Sequence, residues 1–139
     1  MQYQLSIDPV TENLIWTPRS DGSLEDVKIQ KIKQLNIFCN IAILAGFTSD
    51  ALGSSNTYDF DIDAQINLGG MLNAITAGLV SEPVIWKASG QPQAHTFVQF
   101  KTVFGAGLAH KNINIGKYWT LKAQVEAATT TEQVNAIVW

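Results

Sequence analysis

Tyr3, Leu5 and Ile7 alternate with Gln2, Gln4 and Ser6, the period of two that marks a half-buried strand. Asp8-Pro9 breaks the run and Asn13 to Trp16 resumes it, so the N-terminus reads as a β-hairpin whose second strand ends at Pro18. Arg19-Ser20-Asp21-Gly22 has the composition of a turn or linker. A hairpin this small is not stable alone and must pack on the rest of the chain or on another protein. The period then changes. Val27, Ile29, Ile32, Leu35, Phe38, Cys39, Ala42 and Ala45 recur mostly at spacings of three and four, which predicts a helix of roughly 20 residues, about 30 Å long. Ser23 serves as its N-cap, Glu25 and Asp26 suit its positive end, and Gly46 fits a C-cap.

Phe47 to Ile62 reads as a second hairpin around Gly53-Ser54-Ser55-Asn56. Asp61 or Asp63 caps a helix running to about Gly78, with Leu68, Met71, Leu72 and Ile75 on its apolar side. Gly69-Gly70 inside it costs about 1 kcal/mol per glycine, which close backbone packing or a kink would explain. Pro83 to Trp86 is a short strand and Ala88 to Pro92 a turn. Thr96 and Gln99 form a capping box for a helix carrying Phe97, Phe100, Val103, Phe104 and Leu108, expected to end near His110-Lys111-Asn112. A last helical segment starts near Asn114 and carries Ile115, Trp119, Leu121, Val125 and Ala128. Thr129 with Glu132 suggests a second capping box before a final turn, Gln133 to Ile137. The expected fold is α+β, with three to four helices forming the core and short β-hairpins at the N-terminus and between helices. It divides into a hairpin and linker, 1–22, and a mainly helical domain, 23–139.

Composition narrows the function. The 139 residues are 46% hydrophobic but only 15% charged, against about 25% charged in ordinary globular domains. Much of the surface is therefore polar-neutral or covered by a partner. The net charge of −3 with no basic cluster argues against nucleic acid and anionic membranes as partners. Met1 to Val10 lacks a basic stretch followed by an apolar one, so no signal peptide is expected. No apolar run reaches the length of a membrane span. The single cysteine, Cys39, excludes an internal disulfide and a multi-cysteine zinc site.

The candidate chemistry is thin. Asp59, Asp61 and Asp63 alternate as they would at the start of an EF-hand loop. That loop needs glycine at its sixth position and glutamate at its twelfth, where Ala64 and Gly70 stand. A solvated strand face, with Phe60 and Ile62 turned inward, and a helix cap account for the three acids. His95 and His110 flank one expected helix about 22 Å apart, too far to share a metal, and His110 suits a helix C-terminus. Cys39 lies in an apolar helix without a neighbouring base. Phe104-Gly105-Ala106-Gly107 matches no phosphate-binding loop and suits close helix packing. No catalytic residue, metal site or cofactor is expected. Trp16, Trp86, Trp119 and Trp139 read as core or interface anchors. The second half of the first helix is uncharged and apolar nearly all round, so Ile37, Ile41, Ile43 and Leu44 are candidate interface residues. Tyr3, Leu5 and Trp16 of the hairpin and the terminal Trp139 join them.

The order of these parts resembles a small domain of unknown function that recurs in tail-fibre and tail-fibre-assembly proteins of tailed bacteriophages. The matching features are Gly46-Phe47 at a helix end, Gly53 in a turn, Asp59 and Asp61 in a strand that leads into a helix, and Trp86 in a strand before a turn. His110 ending a helix, the Ala127 to Glu132 run and the closing Ile137-Val138-Trp139 complete the series. The resemblance covers about Lys31 to Trp139. Members often carry arginines in the first helix, where this chain has lysines. The family has no agreed catalytic residues. What the resemblance implies is a non-enzymatic tail or tail-fibre-associated protein acting by contact with a phage tail protein or with copies of itself. It would work in the host cytoplasm during assembly or in the virion tail. A fibre-assembly chaperone absent from the mature particle is the alternative, and a small tail-borne hydrolase a third.

Overall fold

The computed structural model describes residues 3–7 and 14–18 as strand backbone and residues 22–139 throughout. In chain order the elements are β1 (Tyr3–Ile7), β2 (Leu14–Pro18), α1 (Leu24–Leu44), β3 (Phe47–Ser49), β4 (Asn56–Tyr58) and α2 (Ile62–Thr76). Then come β5 (Val84–Ala88), β6 (Gln91–His95), α3 (Phe97–Ala127) and α4 (Thr131–Ala136). The fold is α+β, with the strands forming antiparallel hairpins and the helices supplying most of the core. The turn expected over 19–22 falls outside the described residues except for Gly22. Two compact units are present, one of residues 1–38 and 117–139, the other of 39–116.

In the first unit, Val27 and Leu35 of α1 are buried with Val125, Ala128 and Val134, and Leu24, Ile32, Tyr118, Leu121, Ile137 and Trp139 pack around them. Ser23 caps α1, its Oγ accepting from the Asp26 amide at 3.3 Å and donating to the Asp26 carboxylate at 2.7 Å. Lys28 donates to the Glu126 carbonyl at 2.8 Å, a cation placed on the negative end of α3. The cap of α4 sits one residue later than expected. Thr130 is extended (φ −134°, ψ 155°) and accepts from the Gln133 amide, while the Gln133 side chain reaches back to the Thr129 amide at 2.7 Å. Glu132 takes no part in that reciprocal pair. In the hairpin, Leu5 pairs with Trp16 and Tyr3 with Pro18.

The second unit holds both remaining hairpins and α2. Asp61 is the N-cap of α2, accepting from the Ala64 amide at 2.8 Å. The strand expected to carry three aligned acids stops at Tyr58, so the carboxylates do not share a face. Asp59 instead pairs with Lys87 at 2.7 Å on the surface, and Asp63 lies in the first turn of α2. Phe60 is buried as expected, whereas Ile62 is exposed because it opens the helix instead of ending a strand.

Two expectations about the second half of the chain need correction. Ala88 to Pro92 is not simply a turn. Gln91–His95 forms a full partner for Val84–Ala88, closed by Ser89-Gly90 with φ of 49° and 80°. Successive positive φ angles give the tight turn whose twist suits a hairpin. Pro92 is tolerated because it pairs with Lys87, one step from the turn, where an antiparallel ladder does not use the amide hydrogens. Likewise, α3 is one helix of 31 residues and does not end near His110. Asn112, Asn114 and Gly116 resemble a helix stop, but Asn114 turns its amide back onto the His110 carbonyl at 2.8 Å and the backbone continues.

Candidate interaction surface

α1 presents the expected uncharged face. No Asp, Glu, Lys or Arg occurs between Lys33 and Asp50. Ile37 is 55% exposed, Ile41 58% and Leu44 39%, at the three- and four-residue spacing that lines one side of a helix. Ile43 is separate from them, at 6% exposed, and belongs to the interior of the second unit. Trp139 is half-buried against the core of the first unit, with the Lys117 ammonium 4.3 Å from its ring centre. The terminal ring is thus partly tucked in. The side chains of Tyr3, Leu5 and Trp16 lie outside the described residues.

The histidines have structural partners that their sequence positions did not suggest. His95, at 0% exposed, sits beside Tyr58, at 2%. Its Nδ1 is 2.9 Å from the Gln93 carbonyl, and its Nε2 is 2.9 Å from the Tyr58 hydroxyl. A carbonyl only accepts, so Nδ1 carries a proton, and in that tautomer the Tyr58 hydroxyl donates to Nε2. This buried chain ties β4 to the end of β6. Replacing Tyr58 with phenylalanine strands the imidazole lone pair in the interior, and Y58F should lose about 1–3 kcal/mol in urea unfolding. A loss too small to resolve would mean that water satisfies the ring.

His110 lies in the middle of α3, not at its end. Its Nε2 approaches the carbonyls of Ala42 and Ile43 at 3.0 and 3.1 Å, so it donates to the last turn of α1, where carbonyls lack helical partners. The ring also lies against Phe47 and Phe60, with centroids 6.2 and 5.9 Å away. A hydrogen bond to a neighbouring helix, rather than a dipole effect on its own, explains this residue. Nearby, Gly107 leaves room for the aromatic cluster, since a Cβ there would lie 3.0–3.1 Å from the Phe47 and Phe60 rings. Close packing therefore explains Gly107, against rings and not against a helix. Gly105 has open space.

Burial raises the Cys39 thiol above its ordinary 9.0 and the Tyr58 phenol above its ordinary 10.0. The thiol donates to the Asn114 carbonyl at 3.4 Å. Lys87 is raised above 10.5 chiefly by its hydrogen bond to Asp59. The two buried acids favour the folded state in their neutral forms, and the lysine does so in its charged form. All three contributions are full below the ordinary values and are lost as pH rises through the higher folded ones. The melting temperature should therefore hold from neutral pH to about pH 9 and fall beyond it. C39A should postpone the first part of that fall and Y58F the next. A profile unchanged in both variants would contradict the assignment.

Among the described residues, no group of three or more His, Cys, Asp or Glu side chains is placed to hold a metal ion. No helix among them is long and apolar enough to cross a membrane. A feature that pattern reading missed is the outer face of α2, where Ile62 is 60% and Ile66 66% exposed. Beside it runs an open groove lined by Ile66, Asn67, Gly70, Met71, Ala74 and Trp86. The only sequence signal for it was the glycine pair.

These features define a small α+β protein whose most distinctive surfaces are uncharged and apolar. The chain belongs to the family described as Domain of unknown function (DUF4376), whose model matches residues 26–138. No curated protein and no solved structure matches it.

Proposed function

We propose that this protein is a non-enzymatic component of the tail apparatus of a tailed bacteriophage and acts by protein–protein contact. Two things support the reading: the order of parts shared with domains of tail-fibre and tail-fibre-assembly proteins, and the uncharged α1 face. That face is the observation that carries it. Ile37, Ile41 and Leu44 are held in water on a helix at positions that a helix packing one side on its core would fill with polar residues. A fibre or tail subunit, or another copy of the chain, would cover them. Assembly would take place in the host cytoplasm.

The test is deletion of the gene from the phage that encodes it, with mass spectrometry of purified particles from the parent. Loss of tail fibres on deletion, with the protein present in parental particles, is the expected result. Loss of fibres with the protein absent from finished particles would assign it to the chaperone class. Normal particle yield and tail morphology after deletion would overturn both. I41E, which keeps its new charge in solvent, should reproduce the deletion phenotype while changing the unfolding free energy by no more than about 0.5 kcal/mol.

A further inference from the structure

The glycine pair in α2 is unexplained by packing among the described residues. Gly69 and Gly70 lie inside a 15-residue helix, each at a cost of about 1 kcal/mol relative to alanine. Among the described residues, a Cβ added at either position would meet nothing within 4 Å, so the expected close packing is not found there. Gly70 instead floors the open groove beside Ile66, Asn67, Met71, Ala74 and Trp86.

The same face is self-complementary. Consider a second α2 laid antiparallel across the first about a two-fold axis at Gly70. Residues equally far before and after Gly70 then come level with one another, as an isologous contact requires. Ile66 comes level with Ala74, and Ile62 with Gly78, so large residues meet small ones. Ile66 of one copy would enter the space among Gly70, Asn73, Ala74 and Ala77 of the other. Asn67 comes level with Asn73, and an amide both donates and accepts. Charge behaves the same way. No charged residue occurs from Ala64 to Ser81, and Asp63 comes level with the neutral Ala77. Like therefore never meets like charge, the repulsion that normally penalises a symmetric contact.

We infer that the α2 groove is the seat of a second copy of this chain, which forms a two-fold dimer crossing at Gly70. Glycine there lets the two backbones approach more closely than the usual 8–10 Å between helix axes. Ile62 and Ile66 are the apolar anchors and Trp86 walls the groove. The inference stands independently of the phage-tail reading, which concerns α1.

Sedimentation equilibrium of the full chain over a wide concentration range tests it, alongside G70L and G70A. The wild type should shift from monomer to dimer mass as concentration rises. A Cβ at position 70 meets nothing within 4 Å among the described residues, and replacing a glycine inside a helix removes its conformational cost, so G70L should keep or raise the melting temperature of the dilute protein. It should also weaken dimerisation at least tenfold, with G70A in between. As a geometric check, mixing I66C with A74C under mild oxidation should yield a disulfide-linked heterodimer in preference to either homodimer. A wild type that stays monomeric would overturn the proposal. So would a dimer that G70L leaves intact, or an assembly that dissociates on I41E but not on G70L.

Discussion

Phe100→Ala should cost about 3–5 kcal/mol of stability, the range for emptying a fully buried aromatic site. Phe100 is 0% exposed, and its ring meets Trp86 edge-on at 5.1 Å between centroids. Three losses coincide. The ring's transfer from water is forfeited, a cavity replaces it, and the edge-to-face contact, worth roughly 0.5–1.5 kcal/mol beyond area burial, disappears. Its backbone amide bonds the Thr96 carbonyl in the first turn of α3, so the start of the helix should also become easier to open. Urea unfolding followed by tryptophan fluorescence measures the loss, and hydrogen exchange should report the earliest deprotection around β5 and the start of α3. Phe100→Leu keeps most of the volume and should cost distinctly less. Equal costs for the two variants would show that the site relaxes without a cavity.

Gly46→Ala should be nearly as damaging, for a backbone reason. Gly46 ends α1 with φ of +100°, and an added Cβ would lie 2.7 Å from the Tyr58 carbonyl oxygen. That oxygen belongs to β4, in the pair where Phe47 faces Tyr58, so it cannot swing aside like a flexible side chain. Positive φ costs a residue with a Cβ about 1–2 kcal/mol, and the clash should raise the total to roughly 2–4 kcal/mol. Gly53 provides the control. Its φ is +95°, yet nothing lies within 4 Å of a Cβ there. Gly53→Ala should therefore cost only the conformational share, about 1–2 kcal/mol. The difference between the two variants in denaturant unfolding isolates the contact with Tyr58. If both cost the same, strand β4 yields at that point.

Local rules made much of the chain legible. Ser23, Asp61 and the Thr96–Gln99 pair cap their helices as short-range chemistry requires. The positive φ at Gly46 closes the first helix where an apolar run meets a glycine. These features depend on residues within one helical turn of each other, so a sequence displays both partners together. The uncharged half of α1 was legible for a similar reason, because a run of sixteen positions without Asp, Glu, Lys or Arg is visible before any folding.

Features that depend on distant partners were not legible. His110 looked like a helix end because the polar residues after it resemble a stop, yet Asn114 closes back on its own helix and α3 continues. Strand β6 contains a proline and was readable only once its pairing with β5 showed that Pro92 needs no amide hydrogen. The acids at 59, 61 and 63 shared a face only on the assumption of a strand. The end of β4 at Tyr58 gave them three separate roles.

By itself, then, the sequence determined the caps of α1, α2 and α3, the turn glycines, the α+β class and the scarcity of charge. Each of these follows from backbone conformation or composition within a few residues. Tertiary structure alone decided which apolar residues are core and which face solvent, separating Ile43 from Ile41 and exposing Ile62 and Ile66. It also decided that His95 belongs with Tyr58 and His110 with the end of α1. Burial and long-range hydrogen bonding are properties of neighbours brought together by folding, and a linear pattern records only the residues that could be brought together.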